Sequence, residues 1–84
     1  MSEESARLER VEKVMRGVFA LAPGQAVTRA TNSSDVDGWD SLSHSLLILG
    51  VEDEFGVDLP LDKTFELKDV GELVDLIGVA TPRP

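Results

Sequence analysis

Apolar residues recur at intervals of three and four from near the start of the chain: Leu8, Val11, Met15, Val18 and Ala22, with Val14 and Leu21 widening the stripe. This spacing holds one face of a 3.6-residue helix apolar, and it predicts an amphipathic helix over about Glu3–Ala22. Ser2 or Ser5 could cap its start, and Pro23-Gly24 stops it. Residues 23–40, PGQAVTRATNSSDVDGWD, show no period over 18 positions rich in turn formers. A loop of that length is unusual in a compact domain, and Val27 and Val36 are the residues placed to pin it to a core.

Asp40 is a good N-cap for a second helix beginning Ser41-Leu42-Ser43. Its stripe Leu47, Ile48, Val51 and Phe55 predicts a buried face, with Phe55 packed against the first and last helices, and Gly56 stands where a C-terminal glycine belongs. Val57-Asp58-Leu59-Pro60 reads as an extended link, and Leu61–Glu66 has room for one short helical turn. Asp69 then caps a last helix with Val70, Leu73, Val74 and Ile77 on one face, closed by Gly78, while Thr81-Pro82-Arg83-Pro84 is expected to fray. No alternating strand pattern and no internal repeat occurs. The expected fold is all-α: a bundle of three amphipathic helices plus one short helix, with a long first loop.

Length changes this picture little: 84 residues and 9.1 kDa leave room for one domain, spanning 1–84. Charge changes it more. Sixteen Asp and Glu oppose eight Lys and Arg, a net charge of −8. Residues 1–30 hold four acids and five bases, whereas residues 31–84 hold twelve acids and only Lys63, Lys68 and Arg83 as bases. Such a surface repels a phosphate backbone, so nucleic acid is not an expected partner, and the acidity of the last two-thirds calls for a positively charged one. No apolar run approaches the ~20 residues of a membrane span. The charged opening MSEESARLER resembles neither a secretory signal nor a transit peptide, so the expectation is a free-standing, monomeric, cytoplasmic protein. With no cysteine, the chain has no disulfide, no thiolate metal site and no thiol nucleophile of its own.

The candidate chemistry lies where the long loop meets the second helix, in GWDSLSHSLLILGVEDEFGVDLP. Asp40-Ser41-Leu42, followed eleven residues after the serine by Glu52-Asp53-Glu54-Phe55-Gly56, resembles the carrier-site region of acyl carrier proteins. The likeness runs from about Val36 to Leu61, and helix order and length agree over most of the chain. It implies a non-catalytic carrier in which Ser41 receives 4'-phosphopantetheine from coenzyme A, the thiol of that arm holding acyl or polyketide intermediates as thioesters. A serine on the first turn of a helix suits a phosphodiester anion, because backbone N–H groups point that way. The resemblance also implies that Asp40, besides capping, assists a phosphopantetheinyl transferase, and that Leu42 is an exposed apolar contact; a partly buried core leucine is the alternative for Leu42. Glu52, Asp53 and Glu54 would meet basic surfaces of acyl-loading, ketosynthase-type or acyltransferase enzymes. Acids are misplaced at a helix C-terminus for the dipole, which favours such a recognition role over a merely solvated helix end.

The sequence departs from the usual pattern of fatty-acid carriers at Leu46, where an acid is typical, and at Ser43. This points away from ordinary fatty-acid synthase enzymes and toward discrete carriers of specialised pathways such as polyketide assembly, in which Trp-Asp-Ser-Leu is common. Trp39 is expected to pin the loop by packing. The Gly-Gly-(His or Asp)-Ser of peptidyl carriers is absent, which leaves an aminoacyl carrier as a weaker alternative.

Other chemistry fails on particular residues. Taking Gly38 as the glycine of a calcium loop puts His44 where a bidentate Glu is required. Ser41 and His44 lie three apart, but no residue is evident to orient the histidine and no oxyanion hole is identifiable. A lone histidine without cysteines makes a poor zinc site, and His44 is expected at the surface. The competing reading from a different class is an acidic helical interaction module that is never modified.

Overall fold

The computed structural model describes residues 3–83. It contains α1 (Glu3–Val18), α2 (Ser41–Phe55), a two-residue strand β1 (Val57–Asp58), a short helix α3 (Leu61–Thr64), α4 (Val70–Gly78) and a second two-residue strand β2 (Thr81–Pro82). Helix α1 packs across both α2 and α4. The core between them is built from Val11, Met15, Leu47, Val51, Val70, Leu73, Val74 and Ile77, the residues that the three stripes converge on.

Two close approaches set the helix positions. Gly50 lets α1 lie against α2: a Cβ there would stand 2.8 Å from Val14 Cγ1. The backbone of the long loop hooks onto the start of α4, with Val70 N–H donating to Thr31 O at 2.8 Å and Gly71 N–H to Arg29 O at 2.8 Å. These bonds, with Asp69 accepting from Glu72 N–H at 2.9 Å, satisfy donors that a helix N-terminus otherwise leaves without partners. Val27 and Val36 are buried and pin the loop as expected.

Helix α1 ends at Val18 instead of running to Ala22. Phe19 explains the early stop: it is buried and meets the Trp39 ring at 5.3 Å between centroids, so the chain leaves the helix axis to reach the loop. Ser5 lies inside α1, and the other candidate cap, Ser2, lies outside the described residues. Phe55 is half-buried, not enclosed, with the Arg10 guanidinium 4.2 Å above its ring.

The tail expected to fray is tied down. Thr81 and Pro82 pair antiparallel with Asp58 and Val57. Arg83 N–H donates to Gly56 O at 2.9 Å, and its side chain bonds Asp58 at 3.0 Å and Asp53 at 2.9 Å. Two-residue strands leave no alternation for a pattern search to find, which is why the pairing escaped the sequence reading. Pro84 lies outside the described residues.

Candidate functional site

Asp40 is the N-cap of α2 and closes a capping box: its carboxylate accepts from Ser43 N–H at 3.0 Å, and Ser43 Oγ accepts from Asp40 N–H at 2.8 Å. Ser43 Oγ donates onward to Gly38 O at 2.5 Å, fastening the end of the loop to the helix start. The Ser43 backbone N–H, then its hydroxyl, hold the Asp40 carboxyl below the usual carboxylate range. Ser41, the first helical residue, is exposed, and its hydroxyl has no hydrogen-bond partner among the described residues. Leu42 is 73% exposed, which decides its sequence alternatives in favour of an outward-facing leucine.

Beside Ser41 opens a cavity of about 310 Å³ whose walls include Trp39, Asp40, His44, Phe65 and Leu73. His44, expected at the surface, is half-buried and joins three segments here. Trp39 Nε1–H donates to its Nδ1 at 3.1 Å, so Nε2 carries the proton and donates to Thr64 O at 2.7 Å. Trp39 stacks on the His44 ring and Phe65 lies tilted to it, both at 6.1 Å between centroids. The loop, α2 and α3 are thus held together around the serine by one imidazole. Nothing in the spacing of Trp39, His44 and Thr64 announces this contact.

The acidic run at the other end of α2 is drawn into the fold. Glu54 accepts from Arg10 Nε at 3.0 Å and lies 3.3 Å from Lys13 Nζ, and Arg10 first, Lys13 second, hold its carboxyl below its ordinary range. Glu52 accepts from Leu59 N–H at 2.9 Å, and its side chain is only 14% exposed. Asp53 is the acid presented outward, although Arg83 reaches it. Leu46 is exposed, as is Leu49, which the sequence reading passed over. The i, i+4, i+7 spacing of Leu42, Leu46 and Leu49 was the available signal. Among the described residues no group of His, Asp or Glu side chains is arranged to hold a metal ion, and no helix is long and apolar enough to cross a membrane.

This arrangement has relatives. The family model of the phosphopantetheine attachment site matches residues 9–77. The acyl carrier protein of Thermosynechococcus vestitus is 32% identical over 75 residues, covering 89% of this chain and 91% of that one. A chloroplastic acyl carrier protein of Brassica napus is 30% identical over 83% of this chain, which spans about half, 52%, of that longer protein. The solution NMR structure of a holo acyl carrier protein from Geobacter metallireducens superposes with a TM-score of 0.68 at 32% identity, covering 93% of this chain and 84% of that one. The chain belongs to the acyl carrier protein family. It is accordingly a non-catalytic carrier, bears a covalent 4'-phosphopantetheine arm, and works with a phosphopantetheinyl transferase and acyl-processing enzymes.

Proposed function

We propose that Ser41 carries the arm. The observation that carries this reading is an exposed, unpartnered hydroxyl on the first residue of a capped helix, opening beside the cavity next to α2. In the attachment step Ser41 Oγ loses its proton and takes the place of the nucleotide 3',5'-bisphosphate on the pantetheine phosphorus of coenzyme A. Asp40, committed to the capping box, holds the serine at the helix start, where the dipole favours the phosphodiester. The arm supplies the only thiol, since the chain has no cysteine.

Incubation with coenzyme A and a phosphopantetheinyl transferase should add one arm to the intact mass and raise the thiol count from none to one. Ser41→Ala should take up no arm while keeping stability within about 0.5 kcal/mol, because only an exposed hydroxyl is lost. Labelling of the alanine variant overturns the assignment, and an unlabelled wild-type chain favours the unmodified interaction module.

The pathway we infer is a specialised one, such as polyketide assembly, and not housekeeping fatty-acid synthesis. Support comes from Trp39-Asp40-Ser41-Leu42 and from Leu46, an exposed leucine where fatty-acid carriers typically hold an acid. Of the acidic run, Asp53 is the residue we assign to contact with a basic partner, since its side chain is 77% exposed, against 14% for Glu52 and 21% for Glu54. The cargo is an acyl or polyketide intermediate held as a thioester, and the working location is the cytoplasm.

A further inference from the structure

We propose that His44 is a positioning residue for the Ser41 site and a proton-operated latch on the loop that leads into it; the effect on arm attachment rests on the reading of Ser41 as the attachment residue. The imidazole belongs to the chain's one histidine and is half-buried in the first turns of α2. It accepts at one nitrogen and donates from the other: Trp39 Nε1–H gives to Nδ1 at 3.1 Å, and Nε2–H gives to Thr64 O at 2.7 Å. Only the neutral ring does both. Trp39 immediately precedes Asp40, whose capping box holds Ser41 at the helix start, so this bond anchors the loop at its last step before the site.

A proton added to Nδ1 turns the acceptor into a donor. Two N–H groups then oppose each other across 3.1 Å, and the Trp39 indole loses the one hydrogen bond it makes among the described residues. The bond to Thr64 O survives and becomes charge-assisted, so α2 and α3 stay joined while the loop comes free. The stack does not replace what is lost, since 6.1 Å between the ring centroids lies at the outer reach of a cation–π contact. Phe19 still packs on Trp39 at 5.3 Å, which keeps the change local. The surroundings leave the control to this ring. Asp40, Lys68 and Asp69 share the cavity wall with His44; Asp62 and Lys63 precede Thr64 on α3; Asp35 and Asp37 lie ahead of Trp39 on the loop. Carboxyl and ammonium groups ordinarily change charge outside about pH 5–8, whereas an imidazole changes within it.

The test reads Trp39 first, because it is the chain's one tryptophan and gives a single indole N–H resonance. Between about pH 7.5 and 5.5 that resonance should shift toward that of a water-exposed indole in the wild type and in Ser41→Ala. It should hold still in His44→Gln, whose amide accepts and donates without titrating. Arm attachment, followed by intact mass with a phosphopantetheinyl transferase and coenzyme A, is then compared between variants at each pH, which cancels the transferase's own pH dependence. Over that interval the wild-type kcat/KM, relative to that of His44→Gln, should fall by about two- to tenfold, the weight of one hydrogen bond. Trp39→Phe, which has no N–H to give, should lose the fall while keeping the circular dichroism spectrum. A wild-type resonance that ignores pH, or one that moves equally in His44→Gln, overturns the latch. So does a relative rate that stays flat, or a Trp39→Phe chain that keeps the fall. An arm found on Ser41→Ala removes the attachment reading and the rate effect that rests on it, while the indole shift still decides the latch.

Discussion

The two ends of α2 are built on opposite plans. Its first eleven residues, 41–51, carry no formal charge from acids or bases, face water with Leu42, Leu46 and Leu49, and begin with an exposed serine. Its last turn carries Glu52, Asp53 and Glu54 in succession, and each has a partner supplied by α1, the residues after α2, or Arg83, which follows the C-terminal strand. From the sequence, the acidic end is the one that looks prepared for another protein. In the folded chain Glu52 and Glu54 brace the bundle, and the neutral end is left open. Charge on a helix thus reads as recognition only after the chain's own cations have been placed, because an ion pair already made inside the fold has less to offer outside it.

The comparison is sharpened most by neighbouring leucines. Leu47 is fully buried and Leu46 is half-exposed. Leu47→Ala should destabilise by about 2–5 kcal/mol through lost burial and a cavity, whereas Leu46→Ala should stay within about 0.5 kcal/mol in denaturant unfolding. Similar losses at both positions would show that α2 is rotated from this register.

Gly50→Ala tests the packing that fixes both ends of α2 against α1. The added Cβ meets Val14 Cγ1 at 2.8 Å, and a branched side chain one bond from its backbone gives way poorly. The expected cost is about 1–3 kcal/mol in chemical denaturation, with Val14→Ala restoring part of it in the double variant. A neutral Gly50→Ala would break the close α1–α2 contact as described.

The smallest effect comes from acid. Ser43 lowers the Asp40 carboxyl, Arg10 lowers that of Glu54, and Arg29, by a bidentate hydrogen bond, lowers that of Asp75. Each folded-state value lies below its unfolded one, so each contribution is fully present above the unfolded range near pH 4 and is lost as pH falls through the folded value. Melting temperature should therefore decline as pH falls below about 4, and Glu54→Gln should flatten that decline. An unchanged slope in Glu54→Gln would show that the acidic end contributes nothing through its ion pairs.

How much of this was legible beforehand varies with the range of the interaction. The three stripes, the Asp40 and Asp69 caps, the Gly56 terminus (φ 64°) and the pinning valines Val27 and Val36 follow from neighbours within a few residues, and they appear where the spacing put them. Asp40-Ser41-Leu42 was equally readable, because a cap, its helix and the exposed first residue are local consequences of one another. The stop at Phe19, the half-burial of Phe55 under Arg10 and the imidazole bridge of His44 were not, since each depends on a residue brought in from another segment.

The sequence by itself determined the helices, their buried faces, the capped serine and the family resemblance, since local periodicity and short motifs encode them. Only the tertiary structure decided which charges remain available. Arg10 and Lys13 lie more than forty residues from Glu54, and Arg83 lies thirty from Asp53. No spacing rule links such positions, and the bundle brings them within hydrogen-bond distance only because the apolar faces of α1, α2 and α4 must close over a common core.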